Sequence, residues 1–370
     1  HMLQHFDHIT ILSRPNNIEK LQQDPLFARA KLIGVDVHPL LGWFKKKQRG
    51  IIFYYYLWQV AVGRWLSSRH TQYDIIHLVN FHTDWCAHFI PTTPARVVWG
   101  PVVHHGNLPL DFIRSHRLVE IPREALRRLA KQWFWQCDPF LKRAITRTRT
   151  ILYGNPDIAP PFQAKKEAIL TFPYGGSVFP LVPEKNRAAP FRILFVGRLA
   201  ALKNPVLALD AFAQFLRQTS APATLTFIGN GPLESFLRSR AVALGCLQQV
   251  KIIPQLPQAE LIQHYKDAHL FFFPSVESQG LVVAEALSHG LPLLGLDYTG
   301  PAYIAGDAAT TVAPQSYAET RDHLATALHH LCTDFITSTG WQMRQRIALE
   351  RALYMQWPAV CERIRAAYDR

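Results

Sequence analysis

Cysteine is scarce and unpaired in this sequence: Cys86, Cys137, Cys246, Cys332 and Cys361 are scattered through 370 residues, with no C-x-x-C spacing. An odd, dispersed set argues against a disulfide framework and a structural zinc site, and for a reducing compartment. No Asp-x-Asp occurs anywhere, so a bound divalent metal is not implied. No apolar run reaches the roughly 20 residues that a bilayer-spanning helix needs. The most apolar stretch, Ile51 to Val62, contains Gln59 and lies between Lys45, Lys46, Lys47, Arg49 and Arg64. No signal-peptide pattern is present, and His1-Met2 reads as a cloning remnant. The expected address is the cytoplasm.

Acidic residues are also in short supply, 27 against 40 Lys+Arg, for a net charge of +13. The imbalance is uneven. Residues 1–180 carry 23 Lys+Arg against 12 Asp+Glu, and the remaining 190 carry 17 against 15. A basic first half suits anionic lipid headgroups or a phosphate-bearing acceptor, and equally an ordinary solvated surface. No nucleic-acid recognition module accompanies it.

What the chain does contain is 48% hydrophobic and 18% charged residues, the balance of a folded protein, at a length that suits two domains. Short apolar runs alternate with longer amphipathic ones. Strands are expected at His8–Leu12, Asp74–Val79, Arg96–Trp99 and Thr148–Tyr153, then at Arg192–Val196, Thr224–Ile228, Val250–Ile253, His269–Phe273 and Pro292–Leu296. Near-continuous apolar strands between helical patterns imply an α/β protein with parallel sheets covered on both faces. The densest Pro/Gly stretch, 173–190, is the expected linker between a domain at 1–172 and one at 191–350. Residues 351–370 are expected to form a helix crossing back to the first domain.

The sharpest local pattern is Pro274-Ser275-Val276-Glu277-Ser278-Gln279-Gly280-Leu281-Val282-Val283-Ala284-Glu285. It follows an apolar strand and opens a helix that His289-Gly290 should close. Unpaired backbone N–H groups around Gly280, Leu281 and Val282, with the helix dipole, make an anion site. Glu277 lies at a strand's carboxyl end, where open α/β sheets bind ligands. Glu285, one to two turns into the helix, is placed to accept from two ribose hydroxyls. A second pattern, strand Arg192–Val196 followed by Gly197-Arg198-Leu199 and Lys203, puts two cations at the end of another strand, suited to a diphosphate. Each pattern alone also fits ordinary surface residues beside a turn.

Taken with Phe227-Ile228-Gly229-Asn230-Gly231-Pro232 and Val250-Lys251-Ile252-Ile253, these patterns resemble the C-terminal domain of glycosyltransferase family four from about Phe191 to Ile304. The resemblance implies two Rossmann-like doubly wound domains facing across a cleft (GT-B) and a retaining, metal-independent hexosyltransferase without a cofactor. Its donor would be a nucleotide diphosphate sugar, UDP ahead of GDP, and its acceptor a glycan or a lipid-linked glycan. It further implies that Arg198, Lys203 and the amides of Gly280, Leu281 and Val282 hold the diphosphate, that Glu285 holds the ribose, and that Glu277 faces the donor sugar. Gly229-Asn230-Gly231 reads as a structural turn, with Pro232 opening the next helix. In the first half, Tyr55-Tyr56-Leu57-Trp58-Gln59, Asp74-Ile75-Ile76-His77 and Val98-Trp99-Gly100-Pro101-Val102 are a weaker match. His104 or His105, at a strand end, is similar to the family histidine that lies near the reacting sugar, or else is structural. The family normally opens with a strand, Gly-rich loop and helix, whereas this sequence starts at a segment resembling the second strand. Either residues precede it, or part of the acceptor side is lost, which in a doubly wound sheet would leave two edges. The second case keeps a non-catalytic relative open, and an epimerase or phosphorylase shares the layout. Finally, Arg123 to Trp135 mixes basic and aromatic residues at helical spacing, as a helix at an anionic membrane surface would, or one packed on its own sheet.

Overall fold

The fold, obtained as a computed structural model, is described for residues 6–38, 51–79, 84–103, 111–112, 120–155, 162, 164–165, 168–171, 173, 177, 181, 190–337 and 340–369. His104, His105 and nearly all of the 173–190 linker lie outside these residues.

In chain order the first half comprises β1 (Thr10–Ser13), α1 (Pro15–Gln22), β2 (Lys31–Gly34), α2 (Ile51–Leu66), β3 (Ile75–Leu78), β4 (Arg96–Val102), α3 (Glu120–Cys137), α4 (Pro139–Arg147), β5 (Thr150–Tyr153) and β6 (Ile169–Thr171). All its strand pairs are parallel, in two groups: β1-β2, and β3-β4-β5-β6. Among the described residues β1 and β3 therefore each pair on one side only. They remain parts of one core. Leu12 and Ile33 share an apolar cluster with Ile76 and Leu78, covered by Val62 and Leu66 of α2. The Ile51–Val62 run is the start of that helix, and no described helix is long and apolar enough to cross a membrane.

The second half comprises β7 (Phe191–Val196), α5 (Pro205–Leu216), β8 (Ala223–Ile228), α6 (Glu234–Ala243), β9 (Val250–Ile253), α7 (Gln258–Asp267), β10 (Leu270–Phe272), α8 (Leu281–Ser288), β11 (Leu293–Leu296), α9 (Gly300–Ala305), β12 (Ala309–Val312), α10 (Tyr317–Thr337), α11 (Gly340–Tyr354) and α12 (Trp357–Ala366). Its six-stranded parallel sheet has the order β12-β11-β10-β7-β8-β9. The chain starts at the centre with β7, winds one way to β9, then returns to the other side of β7 as β10. The reversal falls between β7 and β10, and the carboxyl ends of strands at such a point are where open α/β sheets bind ligands. Burial on both faces explains why β10, Leu270-Phe271-Phe272, has no polar residue at all.

Strands β2, β6 and β12 are additional to those read from the sequence. Each has three or four residues, and β2 and β12 carry polar or charged side chains, so the apolar signal is weak. The helix expected to open at Pro232 begins instead at Glu234, because Pro232 and Leu233 form a turn first.

After α11 packs beside α8, the chain returns to the first half through α12. Residue 350 lies within α11. Val360, Ala367 and Tyr368 are buried among Val98, Val103 and Leu152. His77 on β3 completes the joint: its Nδ1 is 2.6 Å from the Tyr368 hydroxyl and its Nε2 2.8 Å from the Gly100 carbonyl. Burial pushes this imidazole down to about 4, against the pull of the Gly100 carbonyl, so it is neutral near pH 7. The Nε2–H then donates to Gly100 and Nδ1 accepts from Tyr368.

Candidate active site

Three loops at the carboxyl ends of β7, β8 and β10 build the site, and the first two touch through glycine. Gly197, at the end of β7, and Gly229, at the end of β8, both have positive φ; a Cβ on Gly229 would lie 2.2 Å from the Gly197 carbonyl oxygen. Only glycine permits that approach. Leu199 N–H donates to Asn230 O at 3.0 Å and Leu233 N–H to Leu199 O at 3.1 Å. Gly229-Asn230-Gly231 is thus occupied in holding the Arg198 loop in place.

The β7 loop is stitched to the β10 loop by side chain and backbone. Asn204, held left-handed at φ 49°, is fully buried and donates from Nδ2 to Pro274 O at 2.9 Å. Val276 N–H donates to Leu202 O at 3.1 Å, and Ser275 Oγ to the same carbonyl at 3.3 Å. These bonds carry Lys203 to Glu277. Lys203 Nζ is 2.8 Å from each carboxylate oxygen and 4.9 Å from the centre of the Phe273 ring. Burial raises the Glu277 carboxyl above its ordinary range, and the charge and hydrogen bonds of Lys203 oppose that rise. The two residues with separate expected tasks are therefore paired with each other. Arg198 is exposed and, among the described residues, makes no ion pair.

Gly280 precedes α8 without a side-chain cap. Its backbone is extended, and a Cβ there would come within 3.2 Å of Val283, 3.5 Å of Pro301 and 3.6 Å of Glu277 Oε1. The tip is closed behind by α9: Gly300 N–H donates to Glu277 O at 2.9 Å, and a Cβ on Gly300 would lie 2.0 Å from the Ser278 carbonyl carbon. Leu281 is exposed and Val282 half-buried, so this helix end faces outward. His289 ends α8 and Gly290 follows at φ 65°, the stop expected from the sequence.

Glu285 lies on α8 and is half-buried. One of its oxygens, Oε2, accepts from the Tyr265 hydroxyl at 3.0 Å, a partner additional to the two ribose hydroxyls expected from the sequence. Burial raises this carboxyl too, and the Tyr265 hydrogen bond counters it. Sequence reasoning also passed over Gln279. Its Nε2 donates at 2.8 Å to the carbonyl of Gly154, just after β5, so this loop reaches the first half directly. Contacts at separations of 20 and 125 residues leave no local periodicity to detect.

Residues 182–338 match the family model for glycosyl transferases group 1. A D-inositol 3-phosphate glycosyltransferase of Nocardia farcinica is 35% identical over 137 residues, 35% of this chain and 30% of that protein. Its counterpart in Corynebacterium diphtheriae is 23% identical over 338 residues, 83% of this chain and 73% of that protein. The matched length is thus about a third of the first relative and most of the second. Among solved structures, WaaG, a glycosyltransferase involved in lipopolysaccharide biosynthesis, superposes with a TM-score of 0.60 at 16% identity, covering 99% of this chain and 92% of that one. Built from two parallel-sheet halves, the second with its strand-order reversal between β7 and β10, the chain has the GT-B fold, and residues 182–338, under half of its length, are similar to the glycosyl transferases group 1 family.

Proposed function

We propose that this protein is a retaining glycosyltransferase that moves a hexose from a nucleotide diphosphate donor, UDP ahead of GDP, to a glycan or lipid-linked glycan. The observation that carries the reading is the convergence at β7 and β10. Lys203, paired with Glu277, adjoins an uncapped helix tip at Gly280, with Glu285 further along the same helix. A diphosphate at the tip would meet the amides of Leu281 and Val282 and the cations of Arg198 and Lys203. Glu285 would take a ribose hydroxyl, and Glu277, steadied by Lys203, would face the donor sugar.

In the reaction the bond from the anomeric carbon to the diphosphate oxygen breaks, and both its electrons leave with the nucleoside diphosphate. The acceptor oxygen bonds to the same carbon from the same face. Its proton passes to the departing phosphate oxygen. Arg198, Lys203 and the helix tip stabilise the charge that grows on the leaving group, so no divalent ion is required. His104 or His105 would donate to the sugar or orient the acceptor.

A basic, apolar face on α3 supports a peripheral position on an anionic membrane. Leu126, Leu129 and Trp133 are exposed on one side of the helix with Arg128 and Lys131 nearby, while Trp135 packs inward. A lipid-linked acceptor would be met there.

The experiment is a screen of UDP- and GDP-sugars for thermal stabilisation and slow donor hydrolysis, with and without chelator. Stabilisation with turnover, unaffected by chelator, supports the proposal. Binding without any turnover marks a non-catalytic relative, and abolition by chelator defeats the metal-free mechanism.

A further inference from the structure

We infer that Tyr265 is a positioning residue for the nucleotide, acting through Glu285; the inference rests on the reading of Glu285 as the ribose-binding carboxylate. Tyr265 is the one fully buried residue of α7, and a phenylalanine would fill the same apolar space. What the tyrosine adds is a hydroxyl. It donates at 3.0 Å to Glu285 Oε2, from a helix twenty residues earlier in the chain. A buried phenol needs a partner, and a hydrogen bond to a carboxylate is about twice as strong as a neutral one.

The arrangement is braced from the other side. The Tyr265 ring stacks on His289, with centroids 5.2 Å apart and planes at 18°. His289 is buried, and its Nδ1 lies 2.9 Å from the backbone carbonyl of Glu285. Side chain and main chain of Glu285 are thus both engaged by one stacked pair. Burial and the adjacent carboxylate raise the Tyr265 phenol well above its ordinary range, so it stays a donor.

Two consequences follow for binding. Oε2 is committed to Tyr265, and no hydrogen bond to Oε1 occurs among the described residues. Oε1 is therefore the oxygen presented to a ribose hydroxyl, in a rotamer already chosen before ligand arrives. Without Tyr265 the carboxylate would have to be ordered by the ligand itself, at a cost in affinity.

The test is calorimetric titration of the wild type, Tyr265→Phe and Glu285→Gln with UDP and GDP, and with the 2′,3′-dideoxy form of each. For whichever ribonucleotide binds, Tyr265→Phe should weaken affinity about tenfold, the scale of a hydrogen bond to a charged group. On the dideoxy form the same substitution should change affinity less than about twofold, since its effect passes through the ribose contact. Equal loss on both forms would make Tyr265 merely structural and overturn the inference while leaving the ribose reading intact. If Glu285→Gln leaves ribonucleotide affinity unchanged, or neither nucleotide binds the wild type, the ribose reading fails and takes this inference with it. With the donor identified, Tyr265→Phe should raise its KM at nearly unchanged kcat.

Discussion

Nζ of Lys203 lies 2.8 Å from both carboxylate oxygens of Glu277, with one residue on the loop after β7 and the other on the loop after β10. The side chains are 19% and 13% exposed, so the pair is sheltered yet within reach of a ligand. It ties together the two loops that flank the strand-order reversal. It also neutralises a carboxylate that would otherwise repel a diphosphate.

Arg198 and Lys203 should separate on substitution. Arg198→Ala removes an exposed cation that makes no ion pair among the described residues and should leave stability within about 0.5 kcal/mol. Lys203→Ala strands the Glu277 carboxylate and should cost about 1–3 kcal/mol, less than for a fully buried pair. Each should lower turnover on the order of 100-fold or more. Denaturant midpoints and initial rates check this, and near-normal rates in both variants would remove the site assignment.

Glu285→Gln should stabilise the protein while weakening nucleotide binding. The carboxyl is raised by burial, with Tyr265 opposing, so the folded state binds its proton more tightly than the unfolded state does. Its contribution to stability is present below the ordinary carboxylate range and lost as pH rises through the folded value. Near neutral pH glutamine avoids burying that charge and can still accept from Tyr265. Thermal melts should show the variant ahead at about pH 7.5, with the gap closing towards about pH 4.5. A gap independent of pH would contradict this.

Gln279→Ala should loosen the contact between halves. One neutral hydrogen bond contributes about 1 kcal/mol, or roughly fivefold in the opening equilibrium. Backbone hydrogen exchange in the loop around 276–280 and near Gly154 should quicken by that factor. Unchanged exchange at both places would show the contact to be incidental.

Sedimentation with vesicles tests the α3 face. The wild type should pellet with phosphatidylglycerol vesicles at low salt and be released as salt rises, since exposed charges are screened. Replacing Leu126, Leu129 and Trp133 by serine should abolish pelleting. Failure of the wild type to pellet at low salt removes the membrane reading.

Much of the second half was legible in the sequence because its signals are local. Strand β9 falls at the residues read for it, and β7 and β8 within one residue, since each is a short, mostly apolar run bounded by Pro or Gly: Pro190 and Gly197, Pro222 and Gly229, and Pro254 after β9. The stop of α8 at His289-Gly290 was legible for the same reason: a left-handed residue after a helix favours glycine. Strands β2 and β12 escaped because they are short and only partly covered.

By itself, then, the sequence determined the alternation of strand and helix, the strand-end positions of Arg198, Lys203 and Glu277, and the helix start at Gly280. These depend on neighbours a few residues apart. Only the tertiary structure decided that Lys203 pairs with Glu277, that Tyr265 takes one oxygen of Glu285, that Gln279 reaches Gly154, and that Tyr368 packs against His77. Each of those partners is brought close by sheet order and crossover helices, and side-chain chemistry alone does not state which of many distant residues will arrive.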